Sequence, residues 1–272
     1  MPLFDSLAAA LRADVPVAVA TLVRPVEHAG AKMLVFADGG GEGSLGVAGL
    51  DTMARADAVE LLRNGVSALR GYPEHGVEVF IESHAPLPRL LIMGSVHAAP
   101  ALCALAVRVG YRVIVIDARA TYTTRERFPD AAEVMVAWPH RALQEIAPLD
   151  ASTFVAVLTH DPKFEEPLLP LLLRSQARYV GLIGSRHTQA QRRAMLGRLG
   201  FGAAELARLH GPIGLDIGAI TPEEIALAIL AEMTAVKYGS SGRPLKETLP
   251  AEAGILEGER APGARIDAAP RP

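Results

Sequence analysis

Residues 184–187, Gly184-Ser185-Arg186-His187, concentrate chemically capable groups where the apolar run Tyr179–Ile183 hands over to a helical pattern. Glycine lets backbone approach a guest closely. Serine caps a helix with its hydroxyl, and an arginine fork matches phosphate. Together they read as an anion-holding corner. A second corner is "LLIMGSVHAAPAL", where Gly94 ends an apolar run and the next residues open a helix whose first N–H groups lack intrahelical partners. The dinucleotide fingerprint G-x-G-x-x-G would need further glycines, but Val96 and Ala99 stand there. His97 lies on this turn, either facing solvent or contacting a ligand. Asp117 closes the next apolar run, about twenty residues on, where dinucleotide sites place a ribose-binding acid. It equally fits the start of a turn.

Two further stretches carry candidates. In "VLTHDPKFEE" (157–166), Asp161-Pro162 is explained as a helix N-cap followed by proline at the first helical position. His160 has no such explanation and is the better site candidate, for acid–base chemistry or ligation. In "HGPIGLDIGAITPEEIALAILAEM" (210–233), three glycines and a proline mark an ordered loop, and Asp216 would need a partner if buried. Thr221-Pro222-Glu223-Glu224 reads as a capped helix start. Arg192 and Arg193 read as a solvated helix face. Neither G-x-S-x-G nor a Walker lysine occurs, so no catalytic set is assigned. Two histidines at strand ends make no metal site without a third ligand.

These candidates all fall at the ends of strands. "RLLIMGS", "YRVIVID", "AEVMVAW", "TFVAVLTHD" and "RYVGLIGS" are apolar runs that alternate with helical stretches. Continuous apolar strands between amphipathic helices indicate a parallel sheet covered on both faces, whose ligands bind at the carboxyl ends of the strands. The expected fold class is α/β: a doubly wound, mostly parallel Rossmann-like sheet over 86–239, preceded by a smaller α+β domain over 1–85. In that first domain, 16–25, 31–40 and 76–84 are strand-like and 51–65 helical, with Asp51 as N-cap and Asn64-Gly65 as stop. The glycine-rich stretch 39–50 reads as turn or loop. Residues 240–272 are expected to be a disordered tail.

The chain has 272 residues, is half hydrophobic and carries a formal charge of −3, so no global basic field argues for nucleic acid or an anionic membrane. It has one cysteine, Cys103. That excludes an intrachain disulfide and a cysteine zinc site, and its Ala/Leu-rich setting suits a buried small hydrophobe. No signal peptide is recognised and no apolar run reaches membrane-spanning length. A cytoplasmic location is expected, with no stable membrane insertion.

"YVGLIGSR" (179–186) and "LHGPIGLDIGAITPEEIALAILAEM" (209–233) closely resemble the C-terminal Rossmann segment of the XdhC/CoxI family. These are accessory proteins for molybdenum hydroxylases such as xanthine dehydrogenase. "GYRVIVIDARATYTTRERFPDA" (110–131) and "THDPKFEEPLL" (159–169) also resemble it, and "PVAVATLV…GAKMLVFADG" resembles its N-terminal domain more loosely. The resemblance spans most of 15–238. It implies a chaperone that binds molybdenum cofactor, aids its sulfuration and delivers it to an apo-hydroxylase, without turnover in the usual sense. The implied partners are a molybdenum hydroxylase client, a cysteine desulfurase and further copies of the chain. The cofactor, in its molybdopterin form, would lie between the small domain and the strand ends. Gly94, His97, Asp117, His160, Gly184, Ser185, Arg186 and Asp216 would line it.

Two departures stand out. The family's Gly-Ala-Gly-His turn is here Gly94-Ser95-Val96-His97, which counts against ordinary dinucleotide binding. "GSLGVAGLD" lacks the family's Cys and Glu, with Asp51 in the acid's place, and "RPVEHAGAKM" lacks its Ser-Pro-Arg. Two other readings stay open: an NAD(P)-dependent oxidoreductase, and an interaction scaffold with a decayed Rossmann site.

Overall fold

A computed structural model describes residues 2–25, 29–146 and 148–248. The chain divides into two compact units, one running to Pro86 and the other from Leu87 to Pro244.

The first unit is an antiparallel sheet with a helix on each face. Its strands are β1 (Val17–Arg24), β2 (Lys32–Phe36), β3 (Gly41–Gly43), β4 (Ala68–Tyr72) and β5 (Val77–His84), in the order β3-β2-β1-β5-β4. Alternation along β1 sends Ala18, Ala20 and Leu22 toward α2 (Leu50–Asn64) and Val17 and Val19 toward α1 (Pro2–Arg12). Burial on both faces explains why β1 reads as a continuous apolar run. Three local expectations need correction. The glycine-rich stretch contains β3, because Gly41 lies so close to Leu34 O that a Cβ there would sit 1.9 Å from it. Gly49, at φ 79°, is the N-cap of α2 instead of Asp51, whose Oδ1 accepts from the Leu45 amide at 2.9 Å. α1 and β4 were not anticipated. Gly65 ends α2 in the left-handed conformation, as expected.

The second unit is a parallel sheet in the order β11-β10-β9-β6-β7-β8. Its elements follow the chain as β6 (Arg89–Met93), α3 (Ala98–Arg108), β7 (Arg112–Ile116), β8 (Glu133–Met135), α4 (Pro139–Ile146), β9 (Thr153–Val157), α5 (Pro162–Arg174), β10 (Tyr179–Leu182), α6 (Arg186–Arg198), α7 (Ala203–Leu206), β11 (Leu209–His210) and α8 (Pro222–Tyr238). Numbered within the unit, this is the 3-2-1-4-5-6 order of a doubly wound nucleotide-binding sheet. Leu90, Ile92, Val113 and Val115 pack under α3 and α8, while Leu91, Met93, Ile114, Val155 and Val157 pack under α4, α5 and α6. The inner strands β6, β7, β9 and β10 are therefore buried on both faces, which is why they lack alternation. The direction of winding changes between β6 and β9, which pair in parallel from Arg89↔Thr153 to Met93↔Val157.

Cys103 is 1% exposed within α3, and burial, with a smaller push from Asp130, raises its thiol pKa to about 11. It is the small hydrophobe the sequence indicated. Of the expected tail, Leu245–Thr248 forms a short helix, α9, and 249–272 lies outside the described residues. No helix among the described residues is long and apolar enough to cross a membrane.

Candidate functional site

Because the six strands are parallel, their following turns share one edge of the sheet. Gly94–His97 follows β6, Asp117–Arg119 follows β7, Leu158–Asp161 follows β9, Gly184–Arg186 follows β10, and the loop with Asp216 follows β11. The sheet thus gathers the eight sequence candidates on one rim. The two glycine-serine corners open helices on opposite faces, α3 on one and α6 on the other.

At the first corner Gly94 has φ 112°, and a Cβ there would meet the backbone of Leu158 and Thr159 at 3.1 Å. Glycine is required at this switch point, since only it combines that φ with so close a neighbour. Ser95 is buried, its hydroxyl 3.1 Å from Thr123 Oγ1 and its amide donating to Asp117 Oδ2 at 2.7 Å. His97 is exposed at the N-cap of α3, where no side chain caps the helix.

Asp117 is enclosed by donors. Oδ2 accepts from the Ser95 amide and from Arg119 Nη2 at 2.6 Å; Oδ1 accepts from the Arg119 amide at 2.9 Å and from Arg119 Nε at 3.0 Å. Burial alone would raise its pKa, but the hydrogen bonds from Arg119 and Ser95 outweigh burial and hold it below the usual carboxylate range. A carboxylate offers about four lone-pair positions, and all are taken. The acid stands where a ribose would be read, with no acceptor left to read it.

At the second corner Gly184 has φ 124°. Ser185 N-caps α6, its Oγ accepting from the Thr188 amide at 3.2 Å. Arg186 and His187 are exposed beside it. Beneath them lies a feature the sequence did not announce. Arg192 is 4% exposed, not on a solvated face, and forks onto Glu165 with Nε–Oε2 at 2.7 Å and Nη2–Oε1 at 2.5 Å. It also donates to the carbonyls of Ile183 and Thr159, tying the end of β10 to the end of β9. Its neighbour Arg193 is half-buried and donates to the carbonyls of Leu206 and Leu209.

His160 is exposed. Asp161 caps α5 by accepting from the Lys163 amide at 3.0 Å, as its Pro162 neighbour foretold. Asp216 is exposed and so needs no buried partner. Its loop is pinned by Glu232 of α8, which accepts from Tyr179 Oη at 2.5 Å and the Gly214 amide at 2.7 Å and lies 3.1 Å from His210 Nδ1. Burial favours the neutral acid, but those contacts hold the Glu232 pKa down, while burial and Glu232 push the Tyr179 phenol up. No local pattern could have revealed this trio, which comes from three separate elements. Thr221 and Glu224 form the expected capping box at the start of α8. Among the described residues no group of three or more His, Cys, Asp or Glu side chains converges to hold a metal.

A family model described as the XdhC Rossmann domain matches residues 90–233, and one described as the XdhC and CoxI family matches 10–73. The chain belongs to the XdhC and CoxI family. Curated relatives include a probable subunit of xanthine dehydrogenase from Bacillus subtilis, 34% identical over 57% of this chain and 44% of that protein. "Molybdenum cofactor insertion chaperone PaoD" of Escherichia coli is 29% identical over 61% of this chain and 45% of that protein. YqeB, also of Escherichia coli, is 29% identical over 78% of this chain and 41% of that protein. This XdhC and CoxI family member therefore spans less than half the length of these relatives. A crystal structure titled as a xanthine dehydrogenase from Bacillus halodurans matches with a TM-score of 0.52 at 20% identity, covering 89% of this chain and 98% of that one. That likeness concerns the fold.

Proposed function

We propose that this chain is an accessory protein that binds molybdenum cofactor as cargo and aids its insertion into a molybdenum hydroxylase such as xanthine dehydrogenase. The observation that carries the reading is the likeness to a molybdenum cofactor insertion chaperone and to a component of xanthine dehydrogenase. The rim agrees with it. It keeps two glycine-serine corners and exposed arginines, but its acid at the end of β7 is filled. In this reading Gly94, His97, Gly184, Ser185 and Arg186 meet the guest, His160 and Asp216 border it, and Asp117 acts through the residues it holds. The guest is a polyanion, so backbone N–H groups and Arg186 supply its counter-charge.

Sulfuration, in this proposal, is assisted and not performed. The only thiol of the chain is Cys103, buried and held protonated at neutral pH, whereas sulfur transfer needs an accessible thiolate. The sulfur then comes from a partner such as a cysteine desulfurase, and the protein acts in the cytoplasm as a homo-oligomer beside its client. An NAD(P)-dependent oxidoreductase finds no support at Asp117.

The test mixes purified protein with released molybdenum cofactor, then with NAD and NADP, and follows intrinsic and pterin fluorescence. Saturable binding of the cofactor, with faster activation of the apo-hydroxylase, is expected. Binding of a dinucleotide alone would overturn the proposal.

A further inference from the structure

The loop after β7 contains a side-chain arrangement that the eight candidates do not include. Two of the five N–H groups of Arg119, on Nε and Nη2, are spent on Asp117. The side chain is nevertheless 45% exposed, so part of it stays open to solvent. The guanidinium carbon lies 5.3 Å from the centroid of the Tyr122 ring, and that of Arg127 lies 5.6 Å from it. Tyr122 is itself 49% exposed. The two guanidiniums and the exposed ring stand together beside the end of β7. The ring steadies the guanidinium, and the fork offers paired donors to an anion.

The loop is held in shape before any guest arrives. Thr123 Oγ1 shares its one proton between the carbonyls of Arg119 and Asp117 and lies within hydrogen-bond distance of Ser95 Oγ. Arg127 donates to the Tyr122 carbonyl at 2.7 Å and to the Ser95 carbonyl at 3.2 Å, which ties the loop to the Gly94 corner. Asp161 lies within electrostatic reach of Arg119, and Asp117 neutralises part of its charge. The two carboxylates reduce the net positive field at the fork and leave its donor geometry in place.

We infer that Arg119, oriented by Asp117 and backed by Tyr122, clamps the terminal phosphate of a phosphomonoester guest, so that this chain prefers cofactor that ends in that phosphate over cofactor extended by a nucleotide. A nucleoside attached through a second phosphate would bring a ribose diol to a carboxylate with no free acceptor, and would replace the dianionic terminal phosphate by two singly charged diester phosphates. The inference rests on the cofactor reading above.

Three fluorescent pterins test it on the full chain: one with a phosphomonoester side chain, the same pterin after phosphatase treatment, and one extended through a diphosphate to a nucleoside. The phosphomonoester is expected to bind at least about tenfold more tightly than the dephosphorylated pterin, as charge-assisted hydrogen bonds to a dianion require. It should also bind several-fold more tightly than the nucleoside-extended form. Arg119→Gln should bring the first two affinities together, and Tyr122→Leu, which removes the ring behind the fork, should bring them partway together. Thermal melts establish that each variant is folded, and the wild-type ratio needs no variant at all. Equal wild-type affinity for phosphorylated and dephosphorylated pterin would overturn the clamp while leaving the cofactor reading intact. So would equal or tighter binding of the nucleoside-extended form, or a folded Arg119→Gln protein that keeps the preference. Failure of every pterin to bind would overturn the cofactor reading itself, and the clamp with it.

Discussion

The corner after β6 and the corner after β10 begin with the same two residue types and are supported in opposite ways. Gly94 and Gly184 both take φ values within the glycine-favouring range, at 112° and 124°. The serine that follows then diverges. Ser185 stays exposed and caps its own helix, so α6 satisfies part of its first turn internally. Ser95 turns inward to Asp117 and Thr123, and α3 begins at His97 without a side-chain cap. The first corner is braced laterally by a carboxylate on the neighbouring strand end, the second from below by an ion pair between two helices. A corner braced from below can be loaded from above without rearranging its brace. A corner braced from the side shares its support with the loop that carries Arg119.

Four tests would break or sharpen this contrast. Arg192→Met leaves Glu165 charged, buried and unpaired, which costs about 3–5 kcal/mol. Chemical denaturation should show that loss, and pairing the change with Glu165→Met should recover most of it. If the single variant is as stable as wild type, the second corner is not braced by the pair. Gly94→Ala forces an ordinary residue into a left-handed conformation, a strain of about 1–3 kcal/mol, and presses its Cβ on the Leu158–Thr159 backbone. Its melting temperature should fall more than that of Gly184→Ala, whose nearest obstacles are the side chains of Arg192 and Thr188.

Asp117→Asn keeps the shape of the first brace and removes its charge, at a cost of about 1.5–3 kcal/mol near neutral pH. Folding lowers the Asp117 pKa, so its contribution is full above the unfolded carboxylate value of about 3.9. It is lost as pH falls through the lower folded value. The gap between variant and wild type in denaturation experiments should therefore close on acidification; a gap independent of pH would show that the charge is not what braces the corner. Ser185→Ala should be mildest, with loss of one cap at about 1 kcal/mol, read as a small shift in the denaturation midpoint.

Much of this was legible in the sequence, and for local reasons. Asp161-Pro162, Thr221-Pro222 and Ser185 each announce a helix start within a few residues, and each starts one. Continuous apolar strands announced the parallel sheet, and strand ends announced the rim. What escaped notice was long-range or depended on which way a side chain turns. Arg192-Arg193 looked like a solvated stripe because its partner, Glu165, belongs to another helix. The Tyr179–Glu232–His210 trio joins residues whose only relation is spatial. Asp117 with Arg119 was the one accessible miss: an acid at a strand end with arginine two residues later is a short enough spacing for a self-contained fork. "AEVMVAW" overstated β8, which pairs only over Glu133–Met135, because an edge strand needs less apolar length than a central one. The glycines of 39–50 hid β3, since a strand that must pass a neighbour's carbonyl closely selects against side chains of any kind.

The solitary thiol inside α3 has a practical corollary. A maleimide or disulfide reagent added to the folded molecule has nothing to attack until the helix lifts from the sheet, and then it has a single target. The rate of labelling is thus a stopwatch for opening of the Rossmann unit, already installed by the sequence, and a guest that tightens the rim would slow it.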